Sequence, residues 1–316
     1  MILGTKELKE PKVSLIITYF NLGNYIKDCV SSILGQSYQN FEIIIVNDNS
    51  DEKNSKILEE IKNPKIKIIN LKENKGQLLA FLEGLKVASG EFVCMVDADD
   101  ILLKEYLKTL LFIHQTNKAA FVSSNYGEIN EKNEVVFLKN SKKQTFNFKE
   151  INELFLEKNE FEIVQNKLPF GLWGWNPSTS SMMRKKSLEI LDYFPDKAFW
   201  KTGADKVIFS LLHLTGGSIN IDATLYMYRH HGKNNSDTGL IEGKKKYLKE
   251  NYIKTLICWN FKLRKDAIKM FFKNKKELIE KYNKLNYYKM LFRVIFCVNI
   301  KVCAKILKTL AHKLIF

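Results

Sequence analysis

A chain of 316 residues can bury the core of one large domain or two smaller ones, and a hydrophobic content of 45% excludes a disordered polymer. Its formal charge of +15 points to an anionic partner: nucleic acid, an acidic membrane surface or a phosphorylated substrate. Five cysteines without framework spacing exclude a disulfide scaffold, and no uninterrupted apolar run is long enough to span a bilayer.

Val13–Thr18 is a short β-rich run closed by the break Asn21-Leu22-Gly23-Asn24. From Tyr25 to Leu34, apolar residues at Ile26, Cys29, Val30, Ile33 and Leu34 have the spacing of one helix face. Phe41–Val46 is nearly all apolar, as expected of a parallel strand covered on both faces. Asn47–Asp51 carries turn chemistry and a helix N-cap. Ser55–Lys62 predicts a helix, Ile66–Leu71 a third strand, and Gly76–Ala88 a helix that stops at Gly90. A fourth apolar run, Phe92–Val96, ends in Asp97-Ala98-Asp99-Asp100. Leu103–Thr116 then reads as a helix and Ala119–Ser123 as a strand. Strand–helix alternation with short connections predicts an α/β fold around a mostly parallel, doubly wound sheet. Cys29 and Cys94 fall within a helix and a strand, where a buried, inert thiol is expected.

Periodicity fades from Ser141 to Leu168, which marks a seam before an acceptor-facing region. Gly171–Pro177 is an aromatic, turn-rich loop carrying Trp173 and Trp175, and from Lys244 onward the chain reads almost wholly as helix. The expected organisation is a domain over 1–240, with a donor half at about 11–130 and an acceptor half at about 131–240. A basic helical extension over 241–316 follows it.

Three carboxylates at one strand end repel one another and lose solvation. A divalent cation bridging to phosphate oxygens removes that conflict, and hard oxygen ligands suit Mg²⁺ or Mn²⁺. The position also fits, because open α/β sheets bind ligands beyond the carboxyl ends of their strands. The plain alternative is a solvated acidic turn. Thr18-Tyr19-Phe20-Asn21 and Asn47-Asp48-Asn49-Ser50 end the first two strands and belong on the same edge. There a carboxylate can accept the imide N–H of uracil while an aromatic ring covers its face. Asp48 is assigned to the base edge, Phe20 to the stack, and Thr18 to a supporting contact; the plain readings are a helix cap and a core ring. No Gly-x-Gly-x-x-Gly follows the first strand and no phosphate loop occurs, which disfavours dinucleotide and P-loop sites.

Val13–Asn21, Ser32-Ile33-Leu34-Gly35-Gln36-Ser37, Glu42–Ser50, Asn74-Lys75-Gly76, Ala88-Ser89-Gly90-Glu91 and Asp97-Ala98-Asp99-Asp100 resemble, in order and spacing, the motifs of family 2 glycosyltransferases. The resemblance covers Pro11 to Asn130 and continues more weakly to about Ser236. It implies a GT-A fold, a nucleotide-sugar donor, Mn²⁺ or Mg²⁺, and inversion at the anomeric carbon. By that resemblance Asp97 would hold the ribose, Asp99 would bind the metal and Asp100 would support it. Gly203-Ala204-Asp205-Lys206 stands where the family shows Glu-Asp before a helix, so Asp205 matches the base, while Ala204 lacks the preceding carboxylate. A helix-terminal Asp favoured by the dipole is the plain alternative. Tyr226–His231 resembles the segment closing over the donor, which makes Arg229 or His231 candidates for diphosphate or metal. Trp173 and Trp175 would stack on an acceptor sugar or pack on the domain. Asn47-Asp48 departs from the family's Asp-Asp, and Phe81-Leu82 stands where relatives carry Arg-Asn.

The implied activity is transfer from a nucleotide-diphosphate sugar, a UDP-sugar above all, to a hydroxyl of a glycan or lipid-linked acceptor in bacterial surface polysaccharide assembly. The competing readings are a non-catalytic nucleotide-sugar-binding or scaffold protein and, on net charge alone, a nucleic-acid binder; the reading adopted has no nucleic acid partner. Met1–Pro11 lacks the apolar core of a signal peptide, so a cytoplasmic location is expected. After Glu280 no acidic residue remains, and cations at 289, 293, 301, 305 and 308 form a basic stripe among apolar residues. That pattern suits a helix lying in an anionic membrane interface, or one packed on protein with its lysines solvated.

Overall fold

A computed structural model describes residues 10–137, 163–166, 170, 177–232, 234 and 245–296. The four apolar runs of the first hundred residues become parallel strands: β1 (Val13–Tyr19), β2 (Phe41–Asn47), β3 (Ile66–Asn70) and β4 (Phe92–Asp97). Between them lie α1 (Gly23–Leu34), α2 (Glu52–Glu59) and α3 (Gln77–Val87). Helix α2 starts three residues before the expected Ser55, because Asp51 caps it by accepting the Asn54 N–H at 2.8 Å.

Beyond Asp97 the chain makes β5 (Ile101–Leu102), α4 (Tyr106–Thr116), β6 (Phe121–Ile129), β7 (Val135–Phe137) and β8 (Ile163–Asn166). It continues through β9 (Ser181–Arg184), the short helix α5 (Lys185–Leu188), α6 (Ala204–Gly216) and β10 (Ser218–Arg229). Helices α7 (Lys245–Lys273), α8 (Lys275–Tyr282) and α9 (Lys284–Phe296) complete the described chain. The expected helix from Leu103 begins only at Tyr106, since Ile101 and Leu102 pair with Met227 and Tyr226 instead.

The sheet runs β3-β2-β1-β4-β9-β6-β10-β5, with β7 on β6 and β8 on β10. Strand β9 is antiparallel to both β4 and β6, while β10 is parallel to β6. Strands β1, β2, β4, β6 and β10 therefore all end on one edge. Register brings Thr18 level with both Val46 and Asp97, and Tyr19 level with Asn47.

Both faces of the sheet are covered, which explains why its strands show no apolar–polar alternation. Val13, Leu15 and Ile17 pack with α1 and α4 on one face; Ile16, Ile44 and Val46 pack with α3 and α6 on the other. Cys29 and Cys94 are buried free thiols, and burial pushes Cys94 up to about 12. Leu263, Ala267, Met270, Phe271, Leu278, Tyr287, Met290, Leu291 and Val294 join the same apolar cluster as Ile16 and Phe81. The side chains described on α7, α8 and α9 thus belong to the core on that side of the sheet. The remainder of the basic stripe, from Lys301 through Lys308, lies outside the described residues. Among the described residues, no helix is long and apolar enough to cross a membrane.

Candidate active site

The loops after β1 and β2 are tied to each other. Asn21, in the left-handed region at φ 54°, donates its N–H to Ser50 Oγ at 3.0 Å and accepts the Asp51 N–H at 2.9 Å. Phe20, just before it, stands 47% exposed and so belongs to the edge, not the core. Thr18 is half-buried beside Asp97 in the sheet register. Asp48 is buried, and its two carboxylate oxygens accept the N–H groups of Lys75 at 2.7 Å and Gly76 at 2.8 Å. It thereby stitches the Asn74-Lys75-Gly76 loop to the end of β2, while Asp51 takes the capping role. Gly76 holds φ +83°, and a Cβ there would stand 2.4 Å from Lys201 Cα. The Gln77 N–H donates to Lys201 O at 2.9 Å, which draws the segment before α6 up to this edge.

Asp97, Asp99 and Asp100 follow β4 at the centre of the edge. Asp97 accepts Gln77 Nε2 at 2.8 Å and the Ser178 hydroxyl at 2.5 Å, and its own N–H donates to Thr179 Oγ1 at 3.0 Å. Burial and then the charge on Asp99 push Asp97 up to about 7; the Ser178 and Gln77 hydrogen bonds oppose that rise. Asp100 is fully buried, and burial followed by the Asp99 and Asp97 charges raises it well above the usual carboxylate range. Its Oδ1 accepts the Arg229 N–H at 3.2 Å, whereas Oδ2 makes no hydrogen bond.

The turn after β10 closes onto these carboxylates. His231 is buried, with Nε2 2.8 Å from Asp99 Oδ2 and its ring stacked on Tyr25 at 4.8 Å and 17°. Arg229 is fully buried and faces protein acceptors. Its Nε donates to Asp99 O at 2.7 Å, Nη1 reaches Asn130 O and Asn133 Oδ1, and Nη2 lies 3.7 Å from Asp28 Oδ2. The guanidinium also sits over the Tyr25 ring at 5.0 Å. Arg229 locks the Asp99–Asp100 turn against α1 and the turn between β6 and β7.

Among the described residues no three His, Cys, Asp or Glu side chains gather to hold a metal ion by themselves. The donor set nevertheless fits a hard divalent ion. Mg²⁺-type sites use one or two carboxylates and leave the other positions to substrate phosphates and water. Asp99 Oδ2 and His231 Nε2 are hydrogen-bonded to each other at 2.8 Å, and these are the two groups that would hold such an ion.

Asp205 opens α6. Gly203 at φ +74° turns the chain into the helix, and a Cβ there would stand 2.7 Å from the Trp259 ring. Asp205 Oδ1 accepts the Lys206 N–H at 2.9 Å, and burial pushes its carboxyl up to about 6. Its charge is also felt at Asp97, where it adds to the rise. Lys206 is buried and pushed down to about 8 by burial, which the charge on Asp205 opposes. Ala204 is fully buried in the apolar cluster, where a carboxylate would lose its solvation.

The fold thus brings Thr18, Phe20, Asp48, Asp97, Asp99, Asp100, Arg229 and His231 to one edge, and the segment leading into α6 and Asp205 reaches it through Lys201. Trp173 and Trp175 lie outside the described residues. Sequence reasoning missed Gln77, Ser178, Thr179 and Tyr25. Only Gln77, placed directly after Asn74-Lys75-Gly76 at a helix start, carried a local signal.

Comparisons with known proteins bear on the family and the fold. Glycosyltransferase GlyA of Streptococcus pneumoniae serotype 4 is 34% identical over 125 residues, covering 39% of this chain and 18% of that protein. Glycosyltransferase GlyG of the same organism is 32% identical over 121 residues, covering 38% and 40%. An uncharacterized glycosyltransferase of Nostoc is 26% identical over 228 residues, covering 71% and 66%. The aligned regions thus span less than half the length of the first two curated relatives. The crystal structure of S. aureus TarS in complex with UDP-GlcNAc superposes with a TM-score of 0.54 over 90% of this chain and 79% of that one, at 18% identity. A second TarS structure, in complex with UDP, gives 0.51 over 69% and 60% at 22% identity. These structures share the fold. Because the family profile of glycosyl transferase family 2 matches residues 14–191, more than half of the chain, the protein belongs to that family.

Proposed function

We propose that the chain is an inverting glycosyltransferase that moves a sugar from a UDP-sugar to a hydroxyl of a glycan or lipid-linked acceptor in bacterial surface polysaccharide assembly. The observation that carries the reading is the cluster of Asp97, Asp99, Asp100 and His231 at the carboxyl end of the parallel strands, with Asp205 close enough for its charge to be felt at Asp97. Family membership and the UDP and UDP-GlcNAc complexes of the TarS structures support the donor class. Asp48 and Phe20 hold the base, Asp97 the ribose, and Asp99 with His231 would hold Mn²⁺ or Mg²⁺, supported by Asp100. Such an ion, when bound, supplies Lewis-acid neutralisation of the departing diphosphate.

Asp205 accepts the proton of the acceptor hydroxyl. The oxygen pair so released attacks the anomeric carbon, the carbon–oxygen bond to the diphosphate breaks with its electrons leaving on that oxygen, and configuration inverts. A carboxyl at about 6 is mostly ionised at neutral pH yet remains a better base than an ordinary aspartate. Arg229 acts by position, holding the Asp99–Asp100 turn through Nε and Nη1, which protein acceptors already engage. The adjoining half of the cleft would take the acceptor, with Trp173 and Trp175 as stacking candidates.

Screening a panel of nucleotide sugars for hydrolysis and transfer, with added manganese or with chelator, tests the reading. The expected result is turnover of one donor that is lost in chelator. Donor binding without turnover under any condition would favour the non-catalytic binding reading, for which Ala204 in place of a carboxylate is the one supporting observation.

A further inference from the structure

The exposed apolar side chains of the described residues are not scattered. Of ten large ones, Phe261, Phe272, Leu285, Tyr288 and Phe292 all lie on α7 and α9. Isolated exposed apolar residues need no explanation, but a shared face of them marks an interaction surface. On α7, Phe261, Lys265 and Phe272 are spaced four and seven apart and form one outward stripe, with Lys269 alongside. Leu263, Ala267, Met270 and Phe271 occupy the opposite, buried side. On α9, Leu285, Tyr288 and Phe292 are spaced three and four apart beside exposed Lys289, opposite buried Tyr287, Met290, Leu291 and Val294.

The two helices are locked together. Tyr287 donates its hydroxyl to Phe271 O at 2.9 Å, and Arg264 Nη1 donates to Val294 O at 2.9 Å. The Lys275 ammonium lies 6.0 Å from the Tyr288 ring and links the end of one stripe to the other. A cavity of about 680 Å³, lined in part by Leu214, Leu285, Tyr288, Phe292 and Arg293, opens beside the second stripe. Charge is one-sided: from Trp259 to Phe296 there are eleven Lys and Arg against Asp266, Glu277 and Glu280, and Asp266 is buried against Lys262.

This combination selects among partners. A nucleic acid would use the cations and leave Leu285, Phe272 and Phe292 in water. The core of a protein interface is depleted in lysine. Aromatic rings interleaved with long-stemmed lysines match the headgroup–acyl boundary, where rings enter and ammonium groups stay with the phosphates. We infer that the outward face of α7 and α9 docks on an anionic membrane surface. Phe261, Phe272, Leu285, Tyr288 and Phe292 enter the boundary layer, and Lys265, Lys269 and Lys289 meet lipid phosphates. The inference goes beyond the proposed transfer reaction and does not depend on it.

Sedimentation of the full-length protein with vesicles tests it, using one-third phosphatidylglycerol in phosphatidylcholine against phosphatidylcholine alone, at low and high salt. The expected result is salt-sensitive binding to the anionic vesicles only. Phe272→Ser/Tyr288→Ser/Phe292→Ser and, separately, Lys265→Glu/Lys269→Glu/Lys289→Glu should each weaken it about tenfold or more. Both variants change exposed side chains, so circular dichroism and donor hydrolysis should match the wild type; loss of hydrolysis in every form would fault the enzymatic reading alone. Equal binding to neutral vesicles, or undiminished binding by the apolar triple variant, overturns the inference. So does a change in oligomeric mass with vesicle binding unchanged, which would make this face a contact between copies.

Discussion

The roles proposed for Asp205 and Asp99 are within reach of single substitutions. Asp205→Asn keeps the shape and the contact to the Lys206 N–H but cannot take a proton, so kcat should fall about 10²–10⁴-fold with donor affinity nearly unchanged. In the wild type the base must be ionised. Activity should therefore rise with pH through a midpoint near 6 and level off above it. A rate profile with no acid limb between pH 5 and 7 would remove Asp205 from that role. Asp99→Ala deletes the partner of His231 and no core packing. It should abolish metal-dependent donor binding, read by calorimetry, while leaving the circular dichroism spectrum intact.

At the scale of elements, two ends of the sheet divide the labour. The Ala88-Ser89-Gly90-Glu91 segment lies at the amino-terminal edge, away from the cleft. Glu42 there accepts the Ser14 hydroxyl at 2.6 Å, the Ser89 N–H at 2.6 Å and the Ser89 hydroxyl at 2.9 Å, and pairs with Lys12. Burial alone would raise this carboxyl, but those hydrogen bonds outweigh it and hold it near 2. A depressed pKa contributes stability that is present above the ordinary glutamate value and is lost as pH falls toward 2. Glu42→Gln should thus cost about 1–2 kcal/mol at neutral pH, with the gap to wild type closing in acid. Urea titrations at several pH values measure it, and a constant gap would show that the charge is irrelevant to the brace joining β1, β2 and β4.

For the whole molecule, the carboxyl-terminal helices are part of the fold. Truncation after Asn286 removes Tyr287, Met290, Leu291 and Val294 from the apolar cluster that also holds Ile16 and Phe81. Each such side chain contributes roughly 1.5–3 kcal/mol when buried, so the truncated chain should melt well below the full one or fail to fold. Thermal unfolding followed by circular dichroism decides this. An unchanged midpoint would mean that α9 is dispensable. The same packing is why vesicle binding is better tested by surface substitutions than by deletion.

The sequence by itself determined the parallel half of the sheet, the family and the cluster of carboxylates after β4. These are local: continuous apolar runs, turn residues and motif order are written within a few residues of one another. Tertiary structure decided what depends on long-range pairing. Strands β9 and β10 insert between and beyond β4 and β6, and no local period announced that Ser178 and Thr179 would arrive beside Asp97, more than 80 residues away in sequence for each pair. Arg229 shows the difference most clearly. Read in sequence, a guanidinium near the donor suggests a phosphate ligand; in the fold, burial turns its Nε and Nη1 donors to Asp99, Asn130 and Asn133 and sets its charge 3.7 Å from Asp28, because unpaired charge in the interior is too costly.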